Sequence, residues 1–140
     1  MSGCNFEKFA KDLFESQKLS NDEAVYRSCV SRLYYAVYHR TLDWITHHYL
    51  DIYKKFSGGT HQNLQLCFDE LARLNKNLKF KTISYKLKSL HDRRVKADYR
   101  FTFPCSDKQV EQMMLELEQF DQAIELLIQE YTPSYIYKSL

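Results

Sequence analysis

The sequence predicts an all-α protein, folded as an antiparallel bundle of about five helices. Three observations lead there. Only three glycines and two prolines occur in 140 residues, the apolar residues recur at helical rather than alternating spacing, and the links between helical stretches are short. A chain of this length makes one ordinary domain that can bury a core without disulfides or a structural metal. Residues 1 to 131 are therefore expected to form the domain, and residues 132 to 140 a loosely held tail.

The elements follow in order. Asn5 can cap a first helix in which Phe6, Phe9, Ala10 and Leu13 form one stripe, ending near Ser16. Ser20 opens S-N-D-E, a capping box with Glu23, and no Gly or Pro follows until Gly58. This predicts a long second helix over about residues 21 to 50. The Gly58-Gly59 pair is a poor helix interior and reads as a hinge, after which Thr60 can cap a third helix to about Asn75. A fourth runs from about Lys79 to Tyr99, stopping before the turn at Pro104. S-D-K-Q from Ser106 to Gln109 is a second capping box, opening a fifth helix to about Tyr131.

Cys4, Cys29, Cys67 and Cys105 are scattered, with no C-x-x-C pair and no signal peptide. They read as reduced thiols of a cytoplasmic protein. No apolar run approaches a membrane span. Charge is uneven: nine basic residues between Lys76 and Arg100 face only Asp92 and Asp98, whereas the fifth helix is rich in Asp and Glu. A basic face of this kind suits an anionic ligand such as RNA.

Within LHDRRVKADYRF, residues 90 to 101, two arginines are adjacent and a helix can aim only one inward. Ile83, Leu87, Leu90 and Ala97 share a stripe with Arg94 in its middle, while Arg93 points elsewhere. His91 lies one turn before Arg94 and Asp98 one turn after. A guanidinium there needs a partner: an acidic side chain, a subunit contact or a phosphate. On the second helix, Tyr26, Val30, Leu33, Val37, Thr41 and Trp44 form the packing stripe, and Ser28, Arg32, Tyr35, His39 and Asp43 the polar side. Tyr35, and with it Tyr38, could stack on bases.

SRLYYAVYH from Ser31, THQNL from Thr60 and RVKADY from Arg94 together resemble the HEPN domain superfamily, in particular its small stand-alone prokaryotic group. The resemblance implies a helical bundle that pairs as a two-fold dimer. For catalytic members it implies metal-independent RNA cleavage between the protomers, by an Arg followed four to six residues later by His. Arg94 matches the first element. Tyr99 stands where the His would be, and a phenol of pKa about 10 is a poor general base beside an imidazole near about 6.5. Phe101 stands where nucleotidyltransferase-linked members carry a modified tyrosine, so that modification does not carry over.

The expectation is thus an RNA-binding homodimer acting as an endoribonuclease or toxin component of a prokaryotic defence or toxin–antitoxin system. Arg94 would polarise the phosphate, Asp98 orient Arg94, Tyr99 donate a hydrogen bond, and His39 or His91 shuttle the proton. Arg32, Tyr35, Arg93, Lys96 and Arg100 would bind RNA. The alternative is a non-catalytic adaptor for a partner protein encoded nearby, such as a nucleotidyltransferase or a larger effector. No cofactor and no metal are expected: His47 and His48 read as surface residues, and His61 as a fastener for the third helix. Cys29 and Cys67 read as packing residues.

Overall fold

Six helices build the chain: α1 (Gly3–Gln17), α2 (Glu23–His48), α3 (Leu50–Tyr53), α4 (Thr60–Asn75), α5 (Lys79–Tyr99) and α6 (Asp107–Tyr131). They come from a computed structural model that describes the backbone of residues 3 to 131 and the side chains from Asn5 onward. The expected tail, 132 to 140, lies outside the described residues.

The element order matches the sequence reading, with differences at the ends. Asn5 lies inside α1 rather than capping it. The capping box expected at Ser20 is displaced by two residues: Asp22 is the N-cap of α2, and its Oδ1 accepts from the N–H groups of Ala24 and Val25. Ser20 instead closes the preceding turn, donating to the Gln17 carbonyl over 2.6 Å and accepting from the Asp22 N–H over 3.2 Å. Asn21 adopts a left-handed φ of 55° between them, a conformation that asparagine tolerates better than most residues. Asp22 offers a cap two residues along the chain, and a carboxylate at a helix N-terminus also gains from the macrodipole.

The long second helix breaks at Tyr49, where φ is −137° and ψ is 38°, and a single turn, α3, follows. This extra turn is why six helices stand where five were expected. Gly59, not Thr60, occupies the N-cap of α4. The second capping box forms as read: Ser106 Oγ accepts from the Lys108 N–H, and Gln109 Oε1 accepts from the Ser106 N–H over 2.8 Å.

Helix α2 is the spine, touching every other helix. Its expected stripe of Tyr26, Val30, Leu33, Val37, Thr41 and Trp44 is entirely buried. It meets Ile83, Leu87, Leu90 and Ala97 of α5, and Met113, Leu117, Phe120 and Ile124 of α6, in one core. Burying a large apolar side chain contributes about 1.5–3 kcal/mol, so this shared surface dominates stability.

Two buried arginines hold the helices in place. Arg40, fully buried, donates from Nη2 to both Asp121 oxygens at 2.9 and 3.1 Å, and from Nη1 to Glu7 at 3.2 Å, tying α2 to α6 and α1. Arg27 caps the other end of the bundle. Its Nη1 donates to the carbonyls of Lys96 and Ala97, both at 3.1 Å, and its Nη2 to the Phe103 carbonyl and to Glu23. The Lys96 carbonyl also accepts the Arg100 N–H at 3.1 Å, and a cation at the C-terminal end of α5 suits the helix dipole. Cys29, Cys67 and Cys105 are buried and unpaired with one another, and burial pushes the first two thiols up to about 11 and about 12. Such thiols are packing residues, as the sequence suggested.

Candidate functional site

The helical stripe of α5 delivers Arg94 to the seam with α2, its side chain 12% exposed. Its Nη2 donates to Tyr35 Oη over 2.6 Å and, more weakly, to Tyr99 Oη over 3.4 Å. Its Cζ lies 5.1 Å from the Tyr35 ring centroid and 5.3 Å from that of Tyr99, within cation–π range. Asp98 Oδ2 sits 2.8 Å from Nε, an ion contact in which the Nε–H is not aimed at the oxygen. The same carboxylate oxygen accepts from Ser31 Oγ at 3.0 Å, which anchors Asp98 to α2. Among the described residues Nη1 makes no hydrogen bond, since those of this guanidinium come from Nη2. Two of the guanidinium's donors are therefore available to an oxyanion.

Beside Arg94 the aromatic face of α2 meets two histidines. His91 and His61 stack with centroids 4.7 Å apart and planes 30° from parallel. Tyr34 and Tyr38 pack on His61 at 5.4 and 4.5 Å, and Tyr34 also reaches His91 at 5.5 Å. Burial, and then the charges of His91, Arg94 and His39, lower the His61 pKa to about 4. His91 is lowered by burial first and by Arg94 second, against a smaller opposing pull from Asp92. Burial also raises the Tyr34 phenol, which is neutral. Tyr34 Oη lies 2.5 Å from His61 Nδ1. The pair is thus two neutral imidazoles next to a fixed cation.

The expected site residues divide into two groups. Arg94, Tyr35, Tyr99, Asp98 and His91 come together. His39 joins at one remove, between Phe6 at 5.7 Å and Tyr35 at 6.0 Å, both stacked. The basic residues do not converge. Arg93 makes a bidentate pair with Glu116 of α6. Arg32 lies over the Phe9 ring at 4.7 Å and donates to Ser28. Lys96 lies over Phe103 at 5.2 Å, and Arg100 is exposed at the C-cap of α5. Tyr38 is 6% exposed and Tyr35 already carries Arg94 and His39, so neither ring is open for stacking as expected.

His61 was read as a surface fastener and is instead half-buried at the centre of the cluster. Its spacing inside THQNL carried no periodic signal, because its partners Tyr34 and His91 lie on two other helices. Among the described residues, no group of three or more His, Cys, Asp or Glu side chains gathers as a metal would need. None of the helices is long and apolar enough to cross a membrane.

No protein-family model, curated protein or solved structure matches this chain. The class defined by fold and site is an all-helical bundle with an arginine, a phenol pair and a histidine stack gathered where α2, α4 and α5 meet.

Proposed function

We propose that this chain is a HEPN-like RNA-binding protein and a metal-independent endoribonuclease, the toxin or nuclease component of a prokaryotic defence or toxin–antitoxin system. The observation that carries this reading is the placement of Arg94 beside the His61–His91 stack. A phosphate held by Arg94 Nη1 would lie next to a neutral imidazole able to accept a proton. In the reaction, the substrate's 2′-oxygen forms a bond to phosphorus as His91 takes its proton. The bond to the 5′-oxygen then breaks, and that oxygen takes the proton back. Arg94 offsets charge on the pentacoordinate phosphorane, with donors already oriented by Tyr35 and Asp98. His91 thereby fills the role that Tyr99 cannot.

The resemblance further suggests a two-fold dimer through α2 and α5. Light scattering that found only a 16.8 kDa species at micromolar concentration would remove the dimer from the proposal.

One observation favours the alternative, a non-catalytic adaptor for a protein partner. Asp98 already compensates Arg94, and Tyr99 closes over it. The decisive experiment is incubation with varied single-stranded RNAs in the presence of EDTA. Cleavage lost in Arg94→Ala supports the nuclease; an inert wild type with fold intact supports the adaptor.

A further inference from the structure

Three aromatic rings project from the end of α5 and the turn that follows it. Tyr99, Phe101 and Phe103 are 66%, 70% and 48% exposed. Each has a cation over it: Arg94 on Tyr99 at 5.3 Å, Arg27 on Phe101 at 5.1 Å and Lys96 on Phe103 at 5.2 Å. Among the described residues no other aromatic ring packs on any of the three. Exposed rings on a mobile loop would mean little, but this backbone is fixed. The Phe103 N–H bonds the Arg100 carbonyl at 3.1 Å to close a turn, and Arg27 grips the carbonyls of Lys96, Ala97 and Phe103 from beneath.

The charge around these rings selects the occupant. Lys96 and Arg100 have no carboxylate partner among the described residues, while Asp98 and Glu23 are taken by Arg94 and Arg27. A second copy docking here about a two-fold axis would bring like charges together. A polyanion with flat apolar groups meets the same surface without that cost.

We propose that Tyr99, Phe101 and Phe103 form a stacking platform for two or three consecutive unpaired nucleotides of single-stranded RNA. Bases lie on the ring faces turned away from the cations, and Lys96 and Arg100 meet the intervening phosphates. Tyr99 belongs to both the platform and the Arg94 site, so a strand leaving Arg94 passes directly onto the rings. The choice of RNA rests on the function proposed above; the stacking itself does not.

The test is fluorescence anisotropy with a labelled oligouridylate of roughly twelve nucleotides, a length within the span such surfaces cover. The variant Phe101→Leu/Phe103→Leu keeps apolar bulk and removes the π faces, and Phe101→Leu alone serves as a milder form. Binding is expected to weaken roughly 5- to 150-fold for each base that loses its ring, with the salt slope unchanged because the phosphate contacts remain. Unchanged affinity in both variants, with Arg94→Ala still weakened, would overturn the platform and leave the Arg94 site standing. A wild type that binds no probe at low salt overturns both readings. Tighter binding of the matching deoxythymidylate overturns the choice of RNA. A wild-type dimer that the Leu variants convert to monomer assigns the rings to a second copy and overturns the proposal.

Discussion

Arg94 and Tyr35 meet in two ways across the α2–α5 seam: the guanidinium donates to the phenol oxygen at 2.6 Å and lies 5.1 Å from the ring centroid. The ring supplies a surface on which the cation rests, and the hydroxyl sets its rotation. Tyr35→Phe keeps the first and removes the second. A hydrogen bond to a charged group contributes about 1.5–3 kcal/mol, and partial exposure places this one near the lower end. Urea denaturation of Tyr35→Phe is expected to show a loss of about 1.5 kcal/mol. A loss no larger than that of an ordinary surface substitution would mean that the ring alone positions Arg94.

The chemistry turns on the same arginine. If the protein cleaves RNA, Arg94→Ala is expected to remove about 2.7–4 kcal/mol of transition-state stabilisation, the range for deleting a principal charge-stabilising donor. Deoxy substitution at the cleaved nucleotide abolishes the reaction, since the nucleophile is the 2′-oxygen. Tyr99→His adds an imidazole against Arg94, and a rise in cleavage rate is expected. Equal rates for wild type and Arg94→Ala would place the site elsewhere.

Salt dependence follows from which cations are already paired. Lys79, Lys81, Arg93 and Arg94 each contact a carboxylate: Glu130, Asp69, Glu116 and Asp98 respectively. Among the described residues this leaves Lys76, Lys86, Lys88, Lys96 and Arg100 for phosphates, together with Arg94, whose Nη1 is proposed to hold one while Asp98 stays at Nε. At about 0.7 per neutralised phosphate on a single strand, the slope of log K against log salt is at most about 4.2 in magnitude. Titration between roughly 50 and 200 mM salt reads it directly. A steeper slope would require the paired arginines to release their partners on binding.

Much of the bundle was legible because helical periodicity is a local property. The stripe of α5 put Arg94 inward and Arg93 outward before any contact was known, and Ser106 with Gln109 announced the start of α6. What failed was partnership between distant segments. His61 looked like a fastener for the start of α4 because only Tyr34 and His91, on other helices, give it another role. Arg40 carries a signal of its own: it lies three residues after Val37 and four before Trp44, inside the apolar face of α2. Asp121 sits beside Phe120 in the apolar face of α6. A charge in each of two facing stripes is a pair waiting to be matched, but the match itself is tertiary.

The histidine stack makes stability depend on pH. His61 falls from an ordinary 6.5 to about 4 in the folded protein, and His91 is lowered too. Between those values the unfolded chain binds more protons than the folded one, so stability rises with pH. The contribution is complete above about 6.5 and is lost as pH falls toward 4. Melting temperatures measured from pH 7.5 to 4.5 are expected to decline across this window, and less steeply in His61→Asn. Identical profiles for the two proteins would show that the stack is not the titrating element.

The buried Arg40–Asp121 pair gives the sharpest stability test. Asp121 is 3% exposed at its side chain and Arg40 not at all, so neither charge can turn to water when its partner is removed. Breaking a buried pair from one side typically costs about 3–5 kcal/mol. Asp121→Ala is expected to fall in that range, moderated by Glu7, which keeps its 3.2 Å contact with Arg40. Removing both charges is a different experiment. Arg40→Met combined with Asp121→Leu fills the same space with apolar atoms and leaves no buried ion pair between α2 and α6, which in comparable sites is neutral or stabilising by about 1–4 kcal/mol. The double variant is therefore expected to unfold at a higher urea concentration than Asp121→Ala, with strong non-additivity between the two positions. If its loss instead equals the sum of the two single losses, the two side chains do not act as a pair, and the register of α2 on α6 is set by the surrounding apolar contacts alone.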